Sequence, residues 1–84
     1  MTRTEAAQMV IDLFERGYHI ESEVNCENRK TRLMASNTGY KYLIEYTRND
    51  KGVFTASDVR AFDTVTEALR DNTADGRLIE YKVF

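Results

Sequence analysis

Apolar side chains at the start of the chain recur with the spacing of a helix. They form one stripe, made of Ala6, Met9, Val10, Leu13 and Phe14. Intervals of three and four residues place such positions on a single face, the pattern of an amphipathic helix that packs on a core. Thr2 and Glu5 have the spacing of a capping box, and Gly17 supplies the left-handed residue that commonly ends a helix. The sequence therefore predicts a helix between Thr2 and Gly17.

The pattern then changes to a period of two, which is typical of half-buried strands. In the first such segment the residues Tyr18, Ile20, Ser22 and Val24 alternate with His19, Glu21, Glu23 and Asn25. Further strands are predicted over 30–36, 40–48, 53–62 and 77–84. Turn-forming residues separate the first four strands, which predicts a meander. Imperfect alternation near 56–58 indicates a β-bulge in the fourth strand.

A second, shorter helix is predicted between the fourth and fifth strands. Thr64 and Glu67 repeat the capping-box spacing, and a short apolar stripe follows before a polar loop at 72–76. The resulting order, α-β-β-β-β-α-β, predicts a single α+β domain over residues 1–84, with a mainly antiparallel sheet of about five strands and both helices on one face. The last strand lies beside the fourth if it returns parallel to it through a short right-handed crossover. The pattern leaves its place in the sheet open.

The composition fits one small soluble domain. Hydrophobic residues make up 42% of the 84 positions and charged residues 31%. No apolar run approaches the roughly 18 residues of a membrane span, and the start lacks the basic and apolar regions of a secretory signal. We therefore expect a cytoplasmic protein without a membrane partner. The single cysteine, Cys26, supplies neither a disulfide nor a Cys-based zinc site, and no cofactor is expected.

Charge is distributed unevenly along a chain whose formal net charge is -2. Residues 1–28 have two basic and six acidic side chains, a balance of -4, and residues 29–60 have seven basic and three acidic ones, a balance of +4. The remaining residues have three basic and five acidic side chains, a balance of -2. If Glu21 and Glu23 lie across the sheet from Lys30 and Arg32, cross-strand ion pairs neutralise this asymmetry within the fold.

The usual catalytic groups are too sparse for an enzyme. His19 and Cys26 are the conventional base and thiol of the chain, and strand geometry separates them by roughly 23 Å. Nucleophilic catalysis requires the two groups within hydrogen-bond reach. Glu21 and Glu23 share a strand face, but two carboxylates are too few for a metal cage. We therefore expect neither an enzyme nor a metal site.

The segment 39–46 contains three tyrosines that share one face of a strand. Tyr40, Tyr42 and Tyr46 alternate along this face with Ile44. Because this is the most apolar sheet face available to the helices, we interpret the three rings as core residues beneath the helices, with their hydroxyls at the rim.

The same strand resembles the aromatic strand of RNA recognition motifs. The resemblance rests on Gly39, Tyr40, Tyr42 and Leu43, whereas Thr38, Lys41 and Glu45 depart from the motif. The order of elements also differs from the βαββαβ order of that family. The resemblance implies, as an alternative, a small RNA- or single-stranded-DNA-binding protein that uses Tyr40, Tyr42 and Lys41.

If the tyrosines face the core, the other face of their strand points outward. Leu43 is then expected to be exposed beside Met34 of the neighbouring strand. A small apolar spot rimmed by charge is typical of a protein contact surface. The residues that this hypothesis assigns to partner binding are Glu21, Glu23, Glu27, Lys30, Arg32, Met34 and Leu43.

In length, mixed α+β pattern and lack of a catalytic motif, the whole chain resembles the small inhibitors that bacteriophages encode against host machinery, including anti-CRISPR proteins. The likeness is one of general type. It implies a non-enzymatic protein-binding module in the bacterial cytoplasm that blocks a host nucleic-acid-binding complex such as a CRISPR–Cas effector. In this interpretation Glu21, Glu23 and Glu27 engage a basic groove, although a net charge of -2 argues against DNA mimicry by the whole surface. A second alternative is a homodimeric structural or regulatory protein.

Overall fold

The structure of the protein, a computed structural model, describes residues 1–61 and 78–84. Within these ranges the chain forms one helix and five strands. They are α1 (Arg3–Glu15), β1 (His19–Cys26), β2 (Arg29–Ala35), β3 (Lys41–Arg48), β4 (Phe54–Ala61) and β5 (Leu78–Val83). The first helix and the five strands of the sequence prediction are confirmed. The second predicted helix lies outside the described residues.

The five strands form one antiparallel sheet in the order β4-β3-β2-β1-β5. The predicted meander is confirmed for β1 to β4. β5 pairs with β1, at the opposite edge of the sheet from β4. The last strand therefore does not return beside the fourth. It does run in the same direction as β4, because both strands are antiparallel to β1.

The ends of α1 are formed by the residues that the sequence marks. The Thr2 hydroxyl accepts a hydrogen bond from the Glu5 amide at 3.1 Å, and the Glu5 carboxylate accepts one from the Thr2 amide at 2.9 Å. At the other end Gly17 has a φ of 88°, a left-handed conformation that a side chain would disfavour. The Tyr18 amide donates to the Leu13 carbonyl at 3.0 Å, which ends the helix and directs the chain into β1.

The apolar stripe of α1 packs on one face of the sheet. Ala6 and Leu13 are buried in a cluster that includes Met34, Ile44 and Val59. Phe14, which we expected in the same stripe, is 48% exposed. It lies about 90° round the helix from the centre of the stripe, so its ring points along the surface.

The sheet is buried on both faces, not on one. Ile44 points toward α1 and is 0% exposed, while its neighbour Leu43 points to the opposite side and is 2% exposed. Other buried residues of the opposite face are Val24, Cys26, Thr31, Leu33 and Ala35. The expectation that Leu43 lies on an outward face is therefore wrong.

The described sheet has register shifts in three strand pairs. One lies between β1 and β5, at Ile79. The other two are β-bulges that change which way the side chains point. The predicted bulge in β4 is confirmed, because Ala56 pairs with Tyr46 and Asp58 pairs with Glu45. A second bulge, which the pattern did not indicate, lies in β1 between Ile20 and Ser22. Ile20 packs against the α1 core, whereas Ser22 and the residues at two-residue steps after it face the opposite side.

Candidate protein-interaction surfaces

The three glutamates proposed as an acidic cluster do not form one patch. Glu21 lies at the bulge of β1 and pairs with Lys41 at 3.0 Å. Glu23 pairs with Arg32 at 2.6 Å, which confirms the predicted cross-strand contact of these two residues. Glu27 lies exposed in the turn between β1 and β2. The first two charges are neutralised within the sheet, so they are poor anchors for a basic partner.

Glu23 is the centre of a small polar network on the α1 face. Its carboxylate also accepts a hydrogen bond from the Asn25 amide group at 3.0 Å, and the Lys82 ammonium lies 3.9 Å away. The residue is only 5% exposed. Burial by itself raises the pKa of Glu23, but the hydrogen bonds from Arg32 and Asn25, together with the charges of Arg32 and Lys30, outweigh it and hold the pKa below its ordinary value. Glu23 therefore stays ionised and structural.

Met34 and Leu43 do not form an exposed apolar spot. Met34 pairs with Tyr42 in the register of β2 and β3 and is buried under α1. Leu43 pairs with Leu33 on the opposite face and is buried there. The two side chains are thus separated by the sheet, and neither is available to a partner. The expectation that they form an exposed apolar spot is therefore wrong.

Lys30 and Arg32 instead belong to a group of cations stacked on aromatic rings, which we call the basic-aromatic cluster. The Lys30 ammonium lies 5.9 Å and the Arg48 guanidinium 4.1 Å from the centre of the Phe54 ring. The Arg32 guanidinium lies 5.2 Å from the centre of the Tyr46 ring. These contacts come from three adjacent strands of the α1 face. The fold thus brings together cations and aromatic rings that lie apart in the sequence.

The alternative nucleic-acid site of Tyr40, Tyr42 and Lys41 is not assembled on one surface. Tyr42 and Tyr46 are partly buried against the α1 core, and the Tyr42 ring meets the Tyr18 ring edge-on at 5.6 Å. Tyr40 lies before β3 and is 70% exposed, so its assignment to the core is wrong. Lys41 projects from the other face of β3 and pairs with Glu21. The set Tyr40, Tyr42 and Lys41 therefore offers no common binding face.

His19 and Cys26 stand at opposite ends of β1. His19 is exposed, whereas Cys26 is 3% exposed. Across residues 1–61 and 78–84, no group of three potential metal ligands is found. His19 and Cys26 therefore do not form a base–nucleophile pair.

The outer side of α1 carries exposed apolar residues, of which Ile11 is absent from the predicted stripe and Phe14 was expected in the core. Ile11 is 49% exposed and Phe14 48% exposed. Together with Ala7 they follow the i, i+4, i+7 spacing of one helix side. Ala7 and Ile11 line an open groove of about 510 Å³ between the helix and the β3–β4 turn, whose other wall includes Asn49 and Asp50. We call this region the α1 surface. In the sequence, the sign of this surface is that Ile11 is a large apolar residue outside the main apolar stripe.

A second exposed apolar region is the C-terminal edge of the sheet, formed by β5 and Phe84. Tyr81 is 43%, Val83 71% and Phe84 68% exposed. In the described part of the chain, no strand pairs with the outer side of β5. Apolar side chains beside unpaired backbone groups are typical of an edge that binds another strand.

No family model, curated protein or solved structure matches this chain. Within the described residues, no helix has both the length and the apolar character needed to cross a membrane. The functional conclusion therefore depends on the α1 surface, the C-terminal edge and the basic-aromatic cluster.

Proposed function

We propose that the chain is a non-enzymatic protein-binding module that inhibits a host nucleic-acid-binding complex, with a CRISPR–Cas effector as the leading candidate. The observation that carries the proposal is the α1 surface. The large apolar residues of a helix normally pack in the core. Ala6 and Leu13 are buried there, whereas Ile11 and Phe14 are about half exposed. Exposed apolar residues grouped beside a groove are typical of protein contact sites.

The polar residues around the α1 surface indicate what kind of partner fits it. Asp50 lines the groove, and Glu15 lies one helical turn beyond Ile11. Arg3 also lines the groove, and its guanidinium is held by hydrogen bonds to Thr47 and Thr55. An apolar centre with an acidic rim complements a basic protein groove that otherwise holds nucleic acid. Occupying such a groove blocks it sterically, and no chemical step is needed.

The arrangement of reactive groups agrees with a binding role. Cys26 is buried at one end of β1 and His19 is exposed at the other. Glu21 and Glu23 are engaged by cations of the same sheet. The resemblance in type to phage-encoded inhibitors points to the same class of activity.

The proposal is tested with bacteria whose CRISPR–Cas system targets an infecting phage. Expression of the chain should restore plaque formation, and the purified chain should co-elute with the purified effector complex in gel filtration. Ile11→Asp and Phe14→Asp each place a charge at the centre of the α1 surface. We expect each to weaken binding by roughly tenfold or more, the effect of losing an apolar anchor at an interface.

Tyr40→Asp is the matched control, because it makes the same kind of change at an exposed aromatic residue in the β2–β3 turn. It should leave plaque formation and co-elution unchanged. Wild-type activity in the Ile11 and Phe14 variants would dismiss the α1 surface. Failure of the wild-type chain in both assays would dismiss the CRISPR–Cas effector as the target.

The basic-aromatic cluster favours RNA or single-stranded DNA binding as a second candidate function. Lys30, Arg48 and Phe54 combine positive charge with an aromatic face, the two features used by proteins that bind single strands. This candidate predicts binding of a labelled oligonucleotide that weakens steeply with salt and falls in Lys30→Ala and Phe54→Ala. Lys51→Ala, a cation of the exposed β3–β4 turn, serves as the control. If the labelled oligonucleotide shows no binding at low salt, this candidate function is excluded.

A further inference from the structure

β5 presents backbone hydrogen-bonding groups along its outer edge. The Phe84 amide donates to the Glu21 carbonyl of β1 at 3.0 Å. Backbone amides along a strand point alternately to its two sides. The amides and carbonyls of Val83 and Tyr81 therefore point away from β1, and no described strand meets them there.

The residues of this edge are self-complementary in the antiparallel direction. If Tyr81 lies opposite Tyr81 of another copy, Glu80 lies opposite Lys82. The pairing of β5 with β1 is regular over 80–83 and shifts at Ile79, so this register uses the regular part of the strand. The outward-pointing groups of Tyr81 pair with each other. The Glu80 and Lys82 positions flank this hydrogen-bonded pair, where opposite residues come closest.

The side-chain faces also agree with the register. Glu80 and Lys82 lie on the α1 face, where the Lys82 ammonium is 3.3 Å from Glu80 and 3.9 Å from Glu23 of the same chain. A second copy adds one opposite-charge pair on each side of the central tyrosines. On the other face Tyr81 and Val83 are exposed, and self-pairing brings the two Tyr81 rings together.

We propose that the C-terminal edge binds a second copy of this chain, so that two β5 strands pair antiparallel about Tyr81 and form a symmetric dimer. The two sheets join into one sheet with β5 strands at its centre. A two-fold axis perpendicular to that sheet places both α1 helices on the same face. The α1 surface lies at the other end of each sheet, so it remains free to bind a different partner. The dimer does not depend on the function proposed above.

The dimer is tested by sedimentation velocity and native mass spectrometry of the full chain. The wild-type protein should have twice the chain mass of 9.8 kDa. Glu80→Lys alone and Lys82→Glu alone each replace both opposite-charge pairs with like-charge pairs. Each variant should dimerise roughly tenfold or more weakly than the wild type.

Mixing the two single variants is the decisive experiment. In the proposed register, lysines of one chain face glutamates of the other at both positions, so the mixture should form a heterodimer that neither variant forms with itself. Native mass spectrometry distinguishes the heterodimer by its mass. Restoration of this kind requires residue 80 of one chain to lie opposite residue 82 of its partner.

Proline provides a test that does not depend on charge. Tyr81→Pro removes an outward-pointing amide and leaves the pairing of β5 with β1 intact, whereas Tyr81→Ala removes the ring and keeps the amide. Tyr81→Pro should be monomeric, and Tyr81→Ala should dimerise more strongly than Tyr81→Pro. Thermal unfolding by circular dichroism checks that each variant is folded.

Several results would overturn the proposal. A wild-type chain that remains monomeric at its highest soluble concentration excludes it. A dimer that survives Tyr81→Pro uses another surface. Equal dimerisation of the Tyr81→Pro and Tyr81→Ala variants, or a mixture of folded charge variants that stays monomeric, excludes the register centred on Tyr81.

Discussion

A single residue, Glu23, illustrates how a charge that looks available in the sequence becomes part of the interior. The sequence places it on the polar side of a strand among other acidic residues. In the fold its carboxylate is 5% exposed and touches Arg32 and Asn25. Removing one partner of such a pair leaves the other without a counter-charge, which costs more than the pair contributes to the fold. Glu23→Lys would therefore test folding, not partner binding.

The lowered pKa of Glu23 predicts a loss of stability in acid. The unfolded chain takes up a proton near the ordinary glutamate pKa of 4.5, while the folded chain resists it. The stabilisation is complete above that pH and is lost as the pH falls through the lowered pKa of the folded state. Glu23→Gln should lower the free energy of unfolding at pH 7 by about 1–2 kcal/mol, because Arg32 is partly exposed and keeps some solvation. Urea unfolding between neutral pH and pH 3 measures both effects.

Glu27→Gln is the control for this prediction, because Glu27 is exposed in a turn. It should leave the stability and its pH dependence unchanged. Glu5 adds a second acid-sensitive group, since the backbone and hydroxyl of Thr2 hydrogen bond to its carboxylate and lower its pKa. The Glu23→Gln variant should therefore retain part of the acid dependence. An acid profile identical to that of the wild type would contradict the structural role of Glu23.

At the scale of elements, local signals predict where helices and strands begin and end, but they do not predict register. The Thr2 and Glu5 capping box and Gly17 act within one helical turn, so the sequence contains the whole interaction. The register of β2 and β3 depends on the turn at 36–40, which sets Ala35 opposite Lys41. A shift of one residue exchanges the two faces of a strand. For this reason Met34 was assigned to the wrong face.

The bulge in β1 has a similar effect. Strict alternation assigns Ile20 and Val24 to one face, but the extra residue near Glu21 places them on opposite faces. It also directs Glu21 toward Lys41 instead of Lys30. The bulge in β4 was visible because its alternation is irregular, whereas the apolar and polar residues around Glu21 alternate without a break. No signal in the sequence indicates the β1 bulge.

The attachment of α1 to the sheet predicts a large effect of Arg3. Its guanidinium donates to the carbonyl and hydroxyl oxygens of both Thr47 and Thr55, at 2.9 to 3.3 Å, and to the Arg48 carbonyl at 3.1 Å. Arg3→Ala removes these bonds and should lower the free energy of unfolding by about 1–3 kcal/mol. Arg3→Lys should recover only part of it, because an ammonium cannot reproduce the planar fork.

Hydrogen exchange of the first turns of α1 should report the same change, since the helix then loses its anchor on the β3–β4 hairpin. Lys51→Ala replaces an exposed cation in the turn of that hairpin and should have an effect within about 0.5 kcal/mol. Equal stability of the Arg3→Ala and Lys51→Ala variants would show that the hydrogen bonds of Arg3 do not hold the helix.

At the scale of the whole molecule, the candidate surfaces were harder to predict than the fold. An exposed site is defined by what the rest of the chain leaves uncovered, and a strand pattern shows only that a residue lies on one face or the other. The basic-aromatic cluster needed the register of three strands to bring Lys30 and Arg48 to Phe54. The C-terminal edge needed the position of β5 beside β1. Both depend on contacts between residues distant in the chain.

Burial on both faces of the sheet leads to a prediction about the whole core. Met34 is 0% exposed on the α1 face and Leu43 is 2% exposed on the opposite face. Met34→Ala and Leu43→Ala should each lower the free energy of unfolding by about 2–5 kcal/mol, the usual range for emptying a packed site. Tyr40→Ala, at a residue that is 70% exposed, should change it by less than about 0.5 kcal/mol. Chemical denaturation measures all three, and a loss at Leu43 as small as that at Tyr40 would mean that the face opposite α1 is open to solvent. In that case Leu43 would be accessible to a partner, as the sequence pattern predicts.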